Sequence, residues 1–120
     1  MGRLTTHVLD TARGCPAAGV RVRVYALDDA EAGRRRLLRD VVTDADGRCA
    51  APLLEGGAFA AGRYEIVFGA GAYFAASAAA LPEPPFVDDV VLRFGIADPG
   101  QHYHVPLLVS PWSYATYRGS

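Results

Sequence analysis

In "GVRVRVYAL", Val20, Val22 and Val24 alternate with Arg21, Arg23 and Tyr25. A repeat of two marks a strand with one face in a core and the other in water. "RYEIVFG" uses the same pattern, with Tyr64, Ile66 and Phe68 opposite Arg63, Glu65 and Val67. "FVDDVVLRF" sets Phe86, Val90, Leu92 and Phe94 on one face, with Asp88 as a polar intruder near its start. "LTTHVLD", "RLLRDVVT", "HYHVPLLVS" and "SYATYR" predict further short strands. Turn signals separate them at Arg13-Gly14, Asp46-Gly47, Gly56-Gly57, Pro82 to Pro85 and Asp98-Pro99-Gly100. One segment breaks the rhythm: "GAYFAASAAA" (71–80) is Ala-rich, has no β-branched residue and stops before Pro82, which predicts a single short helix. Seven or eight short strands with one helix, no internal repeat and no linker predict a mainly β chain. The expected architecture is a two-sheet β-sandwich in one domain over residues 1–120.

Composition narrows the partners. The formal net charge is −1, which argues against nucleic acid as the main partner. The one basic run, Arg34, Arg35, Arg36 and Arg39, reads as a solvated strand or loop. All 12 basic residues are Arg, so Schiff-base chemistry on a lysine is excluded. Cys15 and Cys49 are too few and too far apart for a disulfide framework and read as buried or idle thiols. The opening "MGRLTTHVLD" has no apolar core of signal-peptide length, and no stretch is long enough to span a bilayer. The expectation is a soluble, cytoplasmic protein with no membrane partner.

The candidate chemistry lies in three histidines. In "HYHVPLLVS", Tyr103, Val105, Leu107 and Val109 form an apolar face, so His102, His104, Pro106 and Ser110 point the other way. His7 sits in another strand, among Thr5, Thr6 and Val8. Ordinary surface histidines are the plain reading. Three chemical readings stand beside it. A His-x-His pair with a third His is a permissive arrangement for zinc, though no Cys or Asp sits in a supporting motif. His and Arg together suit metal-free hydrolysis, with an imidazole activating water and a guanidinium holding an oxyanion. The same groups also suit a groove for an anionic or aromatic small molecule. No nucleophile elbow, P-loop or dinucleotide fingerprint is present. Periodicity does not choose among the three.

The wording of the two ends does. "LTTHVLD" and "GCPAAGVRVRVY" at the start, with "HYHVPLLVSPWSYATYRGS" at the finish, resemble the transthyretin-related family of 5-hydroxyisourate hydrolases. The likeness runs through "TDADGRC", "GRYEIVF" and "AYFA" between them, and "YRGS" is its most diagnostic tetrapeptide. The resemblance implies a transthyretin-like β-sandwich and hydrolysis of 5-hydroxyisourate in urate breakdown without metal or cofactor. It further implies a homotetramer, a dimer of dimers with sites in clefts between subunits. Residue by residue, it places His7, Arg48 and His104 on catalytic positions, and Tyr117, Arg118, Gly119 and Ser120 on the terminal motif of the same cleft. His7, Arg48, Tyr117 and Arg118 are the implied substrate contacts. Ser120 is implied to act through its hydroxyl or its α-carboxylate, and His102 to flank the site. The other function kept open is a non-catalytic transthyretin-like protein that binds a small ligand.

Overall fold

The alternating segments form two β-layers closed over one apolar core in a computed structural model that describes residues 2–27, 34–77 and 80–119. The first layer contains β1 (Arg3–Thr5), β2 (Val8–Asp10), β3 (Cys15–Pro16), β6 (Leu54–Glu55), β9 (Tyr103–His104), β10 (Leu107–Val109) and β11 (Tyr114–Thr116). The second contains β4 (Arg21–Leu27), β5 (Arg35–Val42), β7 (Gly62–Phe68) and β8 (Val90–Ile96), in the order β5-β4-β7-β8, all antiparallel.

Among the described residues eleven short strands stand where seven or eight were expected, mainly because the first layer is interrupted. "LTTHVLD" is two strands, β1 and β2, with Thr6 and His7 between them; "HYHVPLLVS" is likewise β9 and β10, with Val105 and Pro106 between. The ladders β6-β1-β9 and β11-β10-β2-β3 remain one layer, because hydrogen bonds cross the interruption. Val105 N–H donates to the Thr5 carbonyl at 2.9 Å, and Leu107 N–H to the His7 carbonyl at 2.9 Å. Pro106, between them, has no N–H to give to its other neighbour. The parallel pairings Thr5↔His104 and Leu107↔Val8 flank the gap, so all three histidines gather around one break in a sheet.

The core is the set of inward alternate positions: Leu4, Val8, Leu107 and Val109 from one layer against Val20, Val22, Val24, Ile66, Phe68 and Val90 from the other. Burial is broader than alternation suggests on the central strand β7, where outward-facing Glu65 and Val67 are also buried. Glu65 is only 3% exposed because Arg35 and Arg93 close over it at 2.6 and 2.9 Å. Tyr25 is likewise buried, with the Arg35 guanidinium 4.0 Å above its ring. The aliphatic stems of these arginines shield the outer face while their charged heads stay wet.

Helix α1 (Ala70–Ala75) is shorter than the expected 71–80, since Ser77 turns the chain by bonding back to the Phe74 carbonyl at 2.6 Å; residues 78 and 79 lie outside the described residues. It packs so closely on the preceding loop of β8 that a Cβ at Gly71 would meet Asp88 Cα at 3.0 Å. The expected strand "FVDDVVLRF" starts only at Val90, and Phe86 stands 75% exposed on the loop before it. Of the basic run, Arg34, Arg35 and Arg36 are exposed and Arg39 is half-buried on β5.

Candidate active site

His104 is the centre of the site. Its backbone is held on two sides, by β1 in the Thr5↔His104 register and by an antiparallel bridge to Gly119. In that bridge Gly119 N–H donates to the His104 carbonyl at 2.6 Å and His104 N–H to the Gly119 carbonyl at 3.4 Å. Because Tyr103 points into the core, His104 points out of it, onto the wall of a cavity of about 480 Å³. Arg3, Thr5, Arg48, Cys49 and His102 share that wall.

Thr5 joins the two histidines of the His-x-His pair. Its Oγ1 lies 2.8 Å from His104 Nδ1 and 3.1 Å from His102 Nε2. Burial pushes the His104 pKa below the usual imidazole value, and the charges of Arg48, His102 and His7 push it the same way. A group so placed stays neutral at neutral pH and keeps a lone pair to accept a proton.

Arg48 is delivered by the turn "DADGR". Asp44 Oδ1 accepts the N–H groups of Asp46 and Arg48 at 2.9 and 3.1 Å, and Gly47 N–H closes the turn on the Asp44 carbonyl. Gly47 has φ +73°, and its N-terminal-strand neighbour is so near that a Cβ would run into the Val8 carbonyl. Only glycine satisfies both demands. The Gly47 carbonyl then accepts Val8 N–H at 2.8 Å, which pins the turn beside His7. His7 Nε2 sits 2.8 Å from the Asp46 carbonyl. A carbonyl only accepts, so that nitrogen carries a proton, and Nδ1 is the atom left with a lone pair in the neutral ring.

His102, His104 and Arg48 therefore share one cavity wall, and His7, which does not line it, is near enough for its charge to act on His104. Tyr117 and Arg118 are not brought into this cavity within one chain. Since Gly119 pairs with His104, Arg118 shares a face with Tyr103; its guanidinium lies 3.9 Å over the Tyr103 ring. It donates to the Gln101 side chain at 3.0 Å and to the His102 carbonyl at 3.1 Å, bracing the strand from behind. Tyr117 is exposed and lines, with Arg118, Tyr103, Val105 and Phe94, a second cavity of about 330 Å³. Ser120 lies outside the described residues. Among the described residues no group of three or more His, Cys, Asp and Glu side chains has the geometry to hold a metal ion.

Sequence reasoning missed Thr5 and Thr6. Both lie beside His7, but a Thr pair in a strand is ordinary, and only the parallel pairing of the first strand with the ninth makes it visible. Thr6 is buried and spends its hydroxyl on the Val105 carbonyl at 2.6 Å, closing the sheet break. Cys15 and Cys49 are free thiols, as expected. Burial raises the pKa of Cys49, with the Asp44 charge adding to it, so it stays a thiol although it lines the cavity.

The sequence matches the model of the HIUase/Transthyretin family over residues 4–119. A curated 5-hydroxyisourate hydrolase of Ralstonia nicotianae is 56% identical over 120 residues, covering all of both chains. Among solved structures, 5-hydroxyisourate hydrolase of Klebsiella pneumoniae superposes with a TM-score of 0.80 at 33% identity, covering 100% of both chains. The structure of (S)-allantoin synthase matches with a TM-score of 0.91 at 49% identity, covering 99% of this chain and 44% of that one.

Proposed function

The chain belongs to the HIUase/Transthyretin family, and from that premise we infer that it hydrolyses 5-hydroxyisourate to 2-oxo-4-hydroxy-4-carboxy-5-ureidoimidazoline, a step of urate degradation. The full-length likeness to curated 5-hydroxyisourate hydrolases supports the activity. The observation that supports this site for it is His104: a depressed-pKa imidazole on the wall of a cavity that Arg48 also lines.

Opening the ring lactam takes a water stripped of a proton, a stabilised tetrahedral oxyanion and a proton for the departing nitrogen. In the proposed mechanism the His7/His104 pair takes the proton from water as its oxygen bonds to the lactam carbonyl carbon. The planar fork of Arg48 orients the carbonyl edges and holds the oxyanion. When the intermediate collapses, the C–N bond breaks and the imidazolium returns its proton to the nitrogen, leaving a carboxyl group. The two imidazoles act as a coupled pair, so the base is the pair rather than one ring. Arg118 holds the geometry of the strand through the His102 carbonyl. Tyr117 and Ser120 belong to the same terminal motif, and the proposal gives them the outer wall of the cleft.

The proposal further takes residues 1–120 as one domain that acts in the cytoplasm as a homotetramer, a dimer of dimers. Exposed Phe86 and Trp112, stacked at 6.2 Å, together with the open edges of β8 and β11, support burial against other copies. No described helix is long and apolar enough to cross a membrane.

The test is turnover of freshly made 5-hydroxyisourate, followed by absorbance with the uncatalysed opening subtracted. His104→Asn and His7→Asn should each lower turnover by about 10²-fold or more with an unchanged circular dichroism spectrum. Wild-type rates in both variants would refute the site. A wild-type protein that binds the compound without consuming it would return the small-ligand carrier.

A further inference from the structure

The hydrolytic reading makes no use of Thr5, yet its hydroxyl lies within hydrogen-bond distance of both His102 and His104. We propose that Thr5 is a positioning residue that couples the proton state of His102 to the tautomer of His104, and so decides whether His104 Nε2 presents a lone pair or an N–H. The consequence for catalysis rests on the hydrolytic reading; the coupling itself does not.

A threonine hydroxyl has one proton to donate and two lone pairs. The arrangement that uses it fully between two imidazoles accepts from one and donates to the other. When the Thr5 hydroxyl donates to a bare His102 Nε2, its oxygen accepts from His104 Nδ1–H. His104 Nε2 is then unprotonated and is a base. When His102 is protonated, its Nε2–H can only donate, so the Thr5 proton turns to His104 Nδ1. His104 then carries its hydrogen on Nε2, and that nitrogen no longer accepts a proton. One added proton on His102 thus turns His104 Nε2 from a hydrogen-bond acceptor into a donor across about 6 Å of hydrogen bonds (2.8 and 3.1 Å), with the Nδ1 proton of His104 leaving to solvent as Nε2 takes one up.

The surroundings favour the relay over rearrangement. Thr5 is fixed by its strand register opposite His104 and by the Val105 N–H bond to its carbonyl, and its β-branched side chain has few rotamers. Thr6 offers no substitute, because its hydroxyl is spent on Val105. The ionisable groups around the couple are Arg3, Arg48 and the Cys49 thiol on the cavity wall and His7, whose charge acts on His104, while Arg118 bonds the His102 carbonyl from the other face of the strand. No carboxylate side chain lines the cavity among the described residues. Burial and the charges of Arg48, His102 and His7 make His104 resist a proton.

Long-range ¹H–¹⁵N spectra of the uniformly labelled full chain, scanned from about pH 8 to 5, read both tautomers directly. In the wild type His104 should pass from Nδ1–H to Nε2–H as His102 is protonated. Thr5→Val should uncouple the two events, and Thr5→Ser should restore them. In turnover, Thr5→Val should lower kcat by about 10-fold with KM within about 2-fold, and should alter the pH profile, while Thr5→Ser stays near wild type. A wild-type His104 that keeps one tautomer while His102 is protonated would overturn the proposal, because the Thr5 hydroxyl would then not pass the change from one ring to the other. That spectrum needs no variant, so it decides even if Thr5→Val fails to fold. A wild-type protein that binds 5-hydroxyisourate without consuming it would instead sink the hydrolytic reading and leave the tautomer result to stand by itself.

Discussion

Replacing Gly119 by Ala tests whether the terminal segment seats the His104 ring and whether that ring carries the proposed reaction. No charge is altered and no hydrogen bond is removed. A Cβ at Gly119 would lie 3.2 Å from His104 Cδ2, 3.3 Å from its Cβ and 3.4 Å from its carbonyl oxygen. Comfortable carbon–carbon contact begins at about 3.5 Å and is best near about 4 Å, so the ring must retreat by about 0.3–0.5 Å. A misplacement of about 1 Å costs about 10²-fold in rate. Scaled to the smaller shift, the loss is about 4- to 10-fold, or about 1 kcal/mol of barrier. The assay is initial-rate hydrolysis of fresh 5-hydroxyisourate beside a thermal melt, with Gly57→Ala as control because nothing lies within 4 Å of a Cβ there. The melt should move little, and Gly57→Ala should be silent in both. A Gly119→Ala enzyme with wild-type kcat would show that this contact does not set the ring's position.

Three further outcomes follow from the same structure. The folded-state pKa of His104 is depressed, so between that value and about 6.5 the unfolded chain binds more protons, and stability rises with pH through the window. His104→Asn should therefore gain on the wild type in melting temperature as pH falls below about 6.5; a difference constant from about pH 8 to 5 would contradict the shift. Glu65 is buried under Arg35 and Arg93, but both arginines are largely wet and return to solvent without it, so Glu65→Leu should change stability by no more than about 1 kcal/mol in chemical denaturation. A loss beyond about 3 kcal/mol would show the pairs to be strongly net stabilising. Light scattering should find a tetramer that Phe86→Ser weakens, whereas a fully active monomer would remove the between-subunit clefts from the proposal.

Much of this was legible in the sequence because period-two alternation reports directly on which face meets a core. Val20, Val22 and Val24 are buried as the pattern requires, and so are Tyr103, Val105, Leu107 and Val109. It failed where long side chains shield the outer face, as at Glu65 and Tyr25, since covering by an arginine stem leaves no trace in periodicity. It also failed at Phe86, where an apolar residue continues the alternation but sits on an exposed loop. For the site, His102 and His104 were visible as outward residues of one strand. Thr5 was not, because its partners are 97 and 99 residues away and only the strand order brings them together. Arg118 shows the converse: its neighbour Gly119 bridges His104, but alternation turns the guanidinium to the opposite face.

The pairing of β1 and β2 with β9 and β10 also has a consequence in time. On a ribosome, Thr5 emerges about 100 residues before His104, which at about 5–20 residues per second is a wait of about 5–20 s. During that interval β6 can already cover one side of β1 and β3 one side of β2, while their other side stays an open edge. The nascent chain thus carries a bare strand edge for most of its synthesis, and the segment that caps it is the one bearing His102 and His104. Completion of the candidate site and relief from edge-to-edge aggregation therefore arrive together, with the same few residues.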